Sequence, residues 1–590
     1  MNYKIMTKYQ ISEVIEVRAG SRCIRYLGNG WSLPETSHCW TDGSNAQIKF
    51  TLATLPVYPI LFRIKCKGFL PQKNIKTKKV EVIINGSSIG KLSISDLRWY
   101  DLTASPAVFE SKECCIDFII EDPTSPFAHG LSDDRRNLGL YVESFSLFEL
   151  LDKSMLNCVK VGASIDMLGT VYKSSGAYHR LIGKQSYPFY QFLQSKGILE
   201  YLIDERLIVD HVFQDIELYK TCIASSELGR YIYPAFYPFS MLKDCALNWT
   251  SINLYLSKCC PGRPLGLSDG HYGNFIQIKN ATPRWCDLGS ISDIKEAYDY
   301  GLHEFIKCYI LPLLLVENNI NSSTIRRLMH LNPSGLSKEI LSEFLAISAV
   351  PEWIFDENLH KTHRENTLTL LLELIKSLSD SGNGGFWTSY RDSFALTNAW
   401  SGALLSESPD SRYRTISDIV RGAQATTFLD LGCNDGLFSL LCLKEGLKGS
   451  SIDTEDGALE KFYDFTRALP YVDLCIYVHD FLSCSESADL VLCLALTHHL
   501  SLGQGLSFAE IADKLSRVTE NTLITEFMPN GLGGTKSHPN PSPNPLPRDY
   551  SLDVFLRELR LRFSSVEVIE YARGTDYSWY SVRNLILCKK

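Results

Sequence analysis

Apolar and polar positions alternate in short runs through the first part of the chain, as in LFRIKCKGFL, KVEVIINGSSIGKLSI, ECCIDFIIED and GLYVESFSLFEL between Ile60 and Leu150. Residues two apart share one face of a strand, so each run predicts a strand with one buried side. Asn85-Gly86 between two of the runs predicts a tight hairpin, and the succession predicts an antiparallel β-sandwich. The period then lengthens. Met241, Cys245, Trp249, Ile252 and Leu256 recur at spacings of four, four, three and four, the stripe of a buried helix. From Ile320 to Ala425 the pattern is helical, clearest in ENTLTLLLELIKSLSD, with a flexible break at SDSGNGG (Ser379 to Gly385). After Thr426, strand-like segments and helical ones alternate to the end. The strands are TTFLDL, the run ending at Asp453, LCIYVHDF, ADLVLCLAL, NTLITEFM, VEVIEYA and RNLILCKK. The last two have no long helix between them, so the pattern predicts a seven-stranded α/β sheet. A multidomain chain follows, with units at 1–155, 156–325, 326–395 (a helical connector) and 396–590.

At 590 residues with 45% apolar and 21% charged side chains, each unit can bury a core, which excludes wholesale disorder. The net charge of −8 argues against a nucleic-acid partner. The 18 cysteines include no CxxC pair and read as reduced, buried small hydrophobes. His360 and His363 read as a solvated helix face rather than a metal site. The first twenty residues lack an apolar signal core, and the most apolar run, Cys308 to Val316, is too short to span a bilayer and contains Pro312. The expectation is a cytoplasmic protein without a transmembrane segment; peripheral membrane association stays open.

The chemistry concentrates in two patches. In the first, Asp430 ends a strand and Gly432, Asn434, Asp435 and Gly436 form a tight turn into a helix. Asp453 ends the next strand 23 residues after Asp430. Glycine and asparagine tolerate positive φ and let a ligand approach the backbone. The carboxylates of the turn would repel a pyrophosphate but suit a cationic, amino-acid-bearing ligand, and an acid ending the second strand can accept both hydroxyls of a ribose. These residues resemble motif I of class I S-adenosylmethionine-dependent methyltransferases. The resemblance implies a Rossmann-like sheet and S-adenosylmethionine as cofactor, its methionyl part at the turn, its ribose on Asp453 and its adenine at Asp480 and Phe481. The bland alternative is an ordinary α/β turn with a glycine for packing.

The fourth strand ends in Leu496-Thr497-His498-His499-Leu500, where a methyl group would be delivered. Methylating oxygen needs in-line placement and usually a base, and histidine titrates in the right range. Either one of His498 and His499 is that base or the two shape the cofactor pocket. Glu526, Asn530 and Gly531 to Gly534 would form an acceptor wall, and the proline-rich HPNPSPNPLPRDYSLDVF would cross the pocket mouth. EFMPNGLGG and LALTHHLSL resemble stretches of a bacterial methyltransferase family that includes nodulation-factor and surface-glycan modification proteins. That resemblance implies O-methylation of a glycan or glycan-linked precursor in surface or secreted polysaccharide biosynthesis.

The second patch is GLSDGHYGNFIQIKNATPRWCDLGSI. Asp269 and Asn274 lie five apart and Asp287 follows 13 later, spacings that suit a base, a metal-binding amide and a metal-bridging carboxylate in phosphoryl transfer. They resemble the catalytic and metal-binding loops of kinase-like folds, which implies an α+β kinase-like domain with ATP and Mg2+ as further cofactors. No GxGxxG loop accompanies them, and Lys173 and Arg180 are the nearest cations for a phosphate-binding role. A bifunctional kinase-methyltransferase and a structural kinase remnant are both consistent with this. The overall content resembles bifunctional kinase-methyltransferases that cap bacterial polysaccharides, in a different domain order. In the sandwich, Trp31, Glu35, His38, Trp40, Asp133, Arg135 and Arg136 stand on two irregular segments, resembling a module attached to glycan-synthesis enzymes. They line a sugar-binding face or tie loops together, and a noncatalytic glycan-binding scaffold is the third function the chain permits.

Overall fold

A computed structural model gives the fold. It describes the chain except residues 1–7, 10, 12–13, 57–58, 72–75, 150–158, 161–168, 175–176, 183–185, 215–220, 226–230, 279–280, 295–299, 347–349, 358–359, 361–362, 380–392, 403–410, 470–471, 533–544 and 571–582. The expected SDSGNGG break after Ser379, the glycines Gly533 and Gly534, and residues 538–544 of the proline-rich crossing loop lie outside the described residues.

Alternation builds the first domain as expected. One sheet runs, in spatial order, Lys8–Tyr9, Asn45–Leu52, Glu113–Ile120, Lys78–Ile84 and Ser87–Ile94. The other runs Val14–Glu16, Leu138–Glu149, Ile60–Gly68 and Arg98–Ala104, with Cys39–Asp42 also on Leu138–Glu149. All these pairings are antiparallel except that of Lys8–Tyr9. The inward set, among it Ile48, Phe50, Phe62, Ile64, Val82 and Ile116, forms a core of its own. Burying that apolar face is what pins the strand register.

The second region opens with a five-stranded antiparallel sheet. Its order is Val159–Lys160, Gly169–Ser174, Ala177–Ile182, Thr221–Ser225, His211–Gln214, so the last two strands in sequence are exchanged in space. Helices Tyr187–Ser195 and Ile198–Asp204 connect the third strand to the fourth. The helix Phe239–Cys259 follows, and all five residues of its stripe are fully buried. The helices expected to form a connector pack into this same region. Helix Arg364–Ser377 lies against Phe239–Cys259, with Arg364 Nη2 donating to Asn253 Oδ1 at 2.6 Å and Lys243 Nζ to the Leu378 carbonyl at 2.6 Å. His360, expected on a solvated face, is fully buried and hydrogen-bonds through Nε2 to the Trp353 carbonyl oxygen at 2.8 Å. The polar residues around it in sequence hide this, because the burial comes from other helices.

The last region carries β1 (Thr427–Leu431), β2 (Lys448–Asp453), β3 (Leu474–Val478), β4 (Ala488–Cys493), β5 (Thr519–Phe527), β6 (Ser565–Ile569) and β7 (Asn584–Lys589). Their spatial order is β3-β2-β1-β4-β5-β7-β6. The first five are parallel and β7 is antiparallel to both neighbours. The central strands are apolar on both faces because helices cover both sides. Unlike the sandwich, this region and the second share one continuous apolar core, from Ile182 to Cys588. Among the described residues no helix is long and apolar enough to cross a membrane.

Candidate functional site

The carboxyl ends of β1 to β4 meet at one sheet edge, where an open α/β sheet binds its ligand. The turn after β1 has Gly432 at φ 70°, Asn434 at φ 51° and Gly436 at φ 75°. A Cβ on Gly436 would lie 2.3 Å from the Phe462 ring, so only glycine fits that position. Asp430 braces the turn from below. Its Oδ2 accepts the Ser439 hydroxyl at 2.6 Å, and Ser451 in turn donates to Ser439 at 2.7 Å. Asp435 is buried beside it.

Asp453 receives three backbone N–H groups: Asn434 at 2.8 Å on Oδ2, and Thr454 at 2.7 Å and Glu455 at 3.0 Å on Oδ1. Burial pushes its carboxyl above the usual carboxylate range, and the three N–H groups pull against that. A carboxylate offers about four acceptor positions, so one on Oδ2 has room for a ribose hydroxyl. On β3's exit, Asp480 accepts the Ser483 N–H at 2.9 Å. Burial opposes ionisation there, but the Ser483 bonds and His479 outweigh it and hold the carboxyl below its ordinary value. Phe481 beside it is buried and apolar, the surface an adenine ring needs. An acid for ribose, an acid and ring for adenine, and a close-approach turn fit S-adenosylmethionine.

At the end of β4, Ala495 takes φ 52°, and the chain passes into one wide turn at His499–Gly503. His498 is buried and His499 half-buried, their ring centres 4.0 Å apart. Thr497 donates to the Glu526 carbonyl at 2.6 Å, tying β4 to β5. The Glu526 side chain, expected in the acceptor wall, points elsewhere. It is fully buried, with Arg412 Nε at 2.5 Å, Arg412 Nη2 at 2.9 Å and Arg583 Nη1 at 3.2 Å. Burial raises its pKa, but the two guanidiniums win and hold it low. Arg412 also sits 4.7 Å from the centre of the Phe438 ring, so Glu526 anchors the helix Ser411–Gly422 over the start of helix Leu437–Lys444, next to the turn. Arg412 and Arg583 carry no sequence signal, since neither spacing nor motif links them to Glu526. Asn530 is half-buried in the turn after β5.

The second patch also assembles. Asn274 Nδ2 donates to Asp269 Oδ2 at 2.7 Å, and the His271 N–H to Asp269 Oδ1 at 2.8 Å. Asp287 Oδ1 receives Arg180 Nη2 at 3.1 Å and the Gly289 N–H at 3.0 Å. Of the two cations considered there, Arg180 is the one found at the acid; the side chain of Lys173 lies outside the described residues. Glu304, which no motif marked, accepts the Gly270 N–H at 3.1 Å, and burial, then the neighbouring Asp269, pushes its carboxyl up to about 7. Among the described residues no group of three or more His, Cys, Asp and Glu side chains is gathered as a metal site.

In the sandwich, most of the singled-out residues engage neighbouring side chains and backbone. Trp31 Nε1 donates to the Gln47 carbonyl at 2.7 Å and its ring meets Phe118 edge-on, as a plug does. His38 stacks on Tyr141 at 3.9 Å, Trp40 meets Tyr141 edge-on, and Arg136 forks onto Asp134 and approaches Glu35 at 3.6 Å. Arg135 lies over Phe127, and Asp133 is exposed.

Sheet order, the reversed last strand, the glycine turn and the acids ending β2 and β3 are those of the α/β fold on which class I S-adenosylmethionine-dependent methyltransferases are built. No family model matches the chain. Over 390 residues it is 25% identical to nodulation protein NoeA of Rhizobium meliloti (strain 1021), covering 58% of this chain and 79% of that one. Among solved structures it is similar to the N-methyltransferase NodS from Bradyrhizobium japonicum WM9 in complex with S-adenosyl-L-homocysteine. That match has 13% identity and a TM-score of 0.24, over 30% of this chain and 85% of NodS. The N-terminal domain of EvdMO1, crystallised in the presence of S-adenosyl-L-homocysteine and D-fucose, matches at 17% identity and TM-score 0.22, over 31% of this chain and 83% of that one.

Proposed function

We propose that this protein methylates a hydroxyl of a glycan or glycan-linked precursor in the cytoplasm, within bacterial surface or secreted polysaccharide biosynthesis. The observation that carries the reading is the convergence of Asp453, Asp480, Phe481 and the His498-His499 pair at one sheet edge. S-adenosylmethionine supplies an electrophilic methyl group. The turn at Gly432 to Gly436 would hold its amino-acid end, and Asp453 and Asp480 would hold its nucleoside, with the histidines that end β4 at the same sheet edge. There His499, the more open histidine, takes the acceptor's proton on a ring nitrogen as the new bond forms, with His498 packed beside it. Asn530 borders the space left for the acceptor. The resemblance of EFMPNGLGG and LALTHHLSL to glycan-modifying methyltransferases supports a sugar acceptor. Incubating the protein with methyl-labelled cofactor and surface-glycan fractions, then locating label by mass spectrometry, tests this; label on protein or lipid alone refutes it.

A second reading, phosphoryl transfer to a sugar hydroxyl, is favoured by the contact between Asp269 and Asn274 and by a cation on Asp287. Asp269 would take the hydroxyl proton, while Asn274 and Asp287 hold Mg2+ under ATP. Mg2+-dependent ATP binding that disappears in Asp287→Ala is the expected result. No binding at millimolar ATP leaves a structural kinase remnant.

A further inference from the structure

β3 is an edge strand of the seven-stranded sheet, and an edge presents backbone groups with no neighbouring strand. At Ile476 the preceding domain supplies the missing partner. Gln277, on the strand Phe275–Gln277, accepts the Ile476 N–H at 2.9 Å and donates from Nε2 to the Ile476 carbonyl at 2.8 Å. One side-chain amide, 199 positions away, thus does the work of a neighbouring strand. Just beyond β3, Phe236 stacks on His479 with ring centres 5.1 Å apart and planes 27° from parallel. The His479 N–H donates to the Asp453 carbonyl at 2.8 Å, and Asp480 is the next residue.

The facing wall is held from the same side. Helix Asp456–Arg467 begins three residues after Asp453. Its Glu460 takes the Ser240 N–H on both oxygens at 3.1 Å, closing the amino end of helix Phe239–Cys259. Asp456 pairs with Arg326, while the Tyr463 hydroxyl reaches Asp244 at 2.6 Å. Gln277 is fully buried and Glu460 nearly so. Polar groups so buried cost free energy whenever their partners leave, which makes this a standing contact between the domains rather than an encounter.

Resting on the methyltransferase reading above, we infer that the upstream domain completes the cofactor pocket: Gln277 and Phe236 are positioning residues that hold the Asp480-Phe481 segment where adenine binds. Neither touches the cofactor; they act through Ile476 and His479. The consequence is that affinity for S-adenosylmethionine depends on a domain with no motif for that cofactor.

The experiment is titration calorimetry of S-adenosylmethionine into the full chain, with steady-state kinetics at varied cofactor. Gln277→Leu keeps the shape and removes both hydrogen bonds, so the dissociation constant should rise about tenfold, as two modest hydrogen bonds allow. Phe236→Ala should weaken binding several-fold, and Phe236→Tyr, which keeps the stack, should restore it. In each the loss should fall on the cofactor KM, with kcat at saturation near wild type, a split that general destabilisation does not produce. Asp453→Ala is the control. If it leaves binding unchanged, the pocket assignment itself fails. If it abolishes binding while Gln277→Leu and Phe236→Ala bind as wild type, the positioning role is overturned and the pocket stands. Should Gln277→Leu not fold, the Phe236 pair decides the question alone.

Discussion

The acids of the two chemical centres are held in different ways. At the edge of the seven-stranded sheet, Asp453 is held by three backbone N–H groups, and its Oδ2 keeps room for a hydroxyl. In the upstream cluster, Asp269 and Asp287 each share a backbone N–H with a side chain, Asn274 in one case and Arg180 in the other. A backbone-held acid is preorganised, because nothing has to leave when ligand arrives. A side-chain-held acid depends on rotatable bonds, Asn274 and Arg180 here, for its placement. The first centre is set by the backbone, while the second is set by side-chain rotamers.

The largest effect that would disturb this contrast is at Glu526. Glu526→Ala leaves Arg412 and Arg583 buried without their acid, and the expected loss is about 3–5 kcal/mol of stability, measured by urea unfolding. A loss below about 1 kcal/mol would show that the triad does not fix the helix over the turn. Next comes Asp453→Asn, which removes the charge at nearly constant size. Cofactor affinity should fall about 100-fold, as loss of charge-assisted bonds implies. The same substitution at Asp287 should leave it within about twofold, since the two sites share no partner.

The smallest effect is in pH dependence. Glu304, pushed up to about 7 by burial and by Asp269, holds its proton more tightly folded than unfolded, where its ordinary value is 4.5. Between those values the folded chain binds more protons, so its stability falls as pH rises through about 4.5 to 7. Glu304→Gln should flatten that slope in melting temperatures taken from pH 5 to pH 8. An unchanged slope would place its origin elsewhere, Asp287, raised by its own burial, being the first candidate.

What the sequence showed follows from what produces a pattern. Parallel strands buried on both faces must be continuous apolar runs, so β1 to β5 were legible, as was the stripe from Met241 to Leu256. The turn at Gly432 to Gly436 was legible because only a few residue types tolerate its backbone. Pairings between distant side chains leave no such trace. A carboxylate ending β5 reads the same whether it faces an acceptor or two arginines, so sequence alone does not separate a wall position for Glu526 from its buried pairing. His360 has polar neighbours in sequence and a packed neighbourhood in space. The helices after Leu331 are legible as helices, but periodicity reveals only that a face is buried, not against what, so it carries no trace of their membership in the upstream core.

The single core running from Ile182 to Cys588 also bears on how such a protein diversifies. The sandwich, with a core of its own, can be exchanged by recombination at little cost to the rest. The two later regions cannot be traded separately. A transplanted methyltransferase half would arrive with β3's edge lacking Gln277 and with Glu460 facing no helix end. An exchange that keeps these contacts therefore has to carry the two regions together.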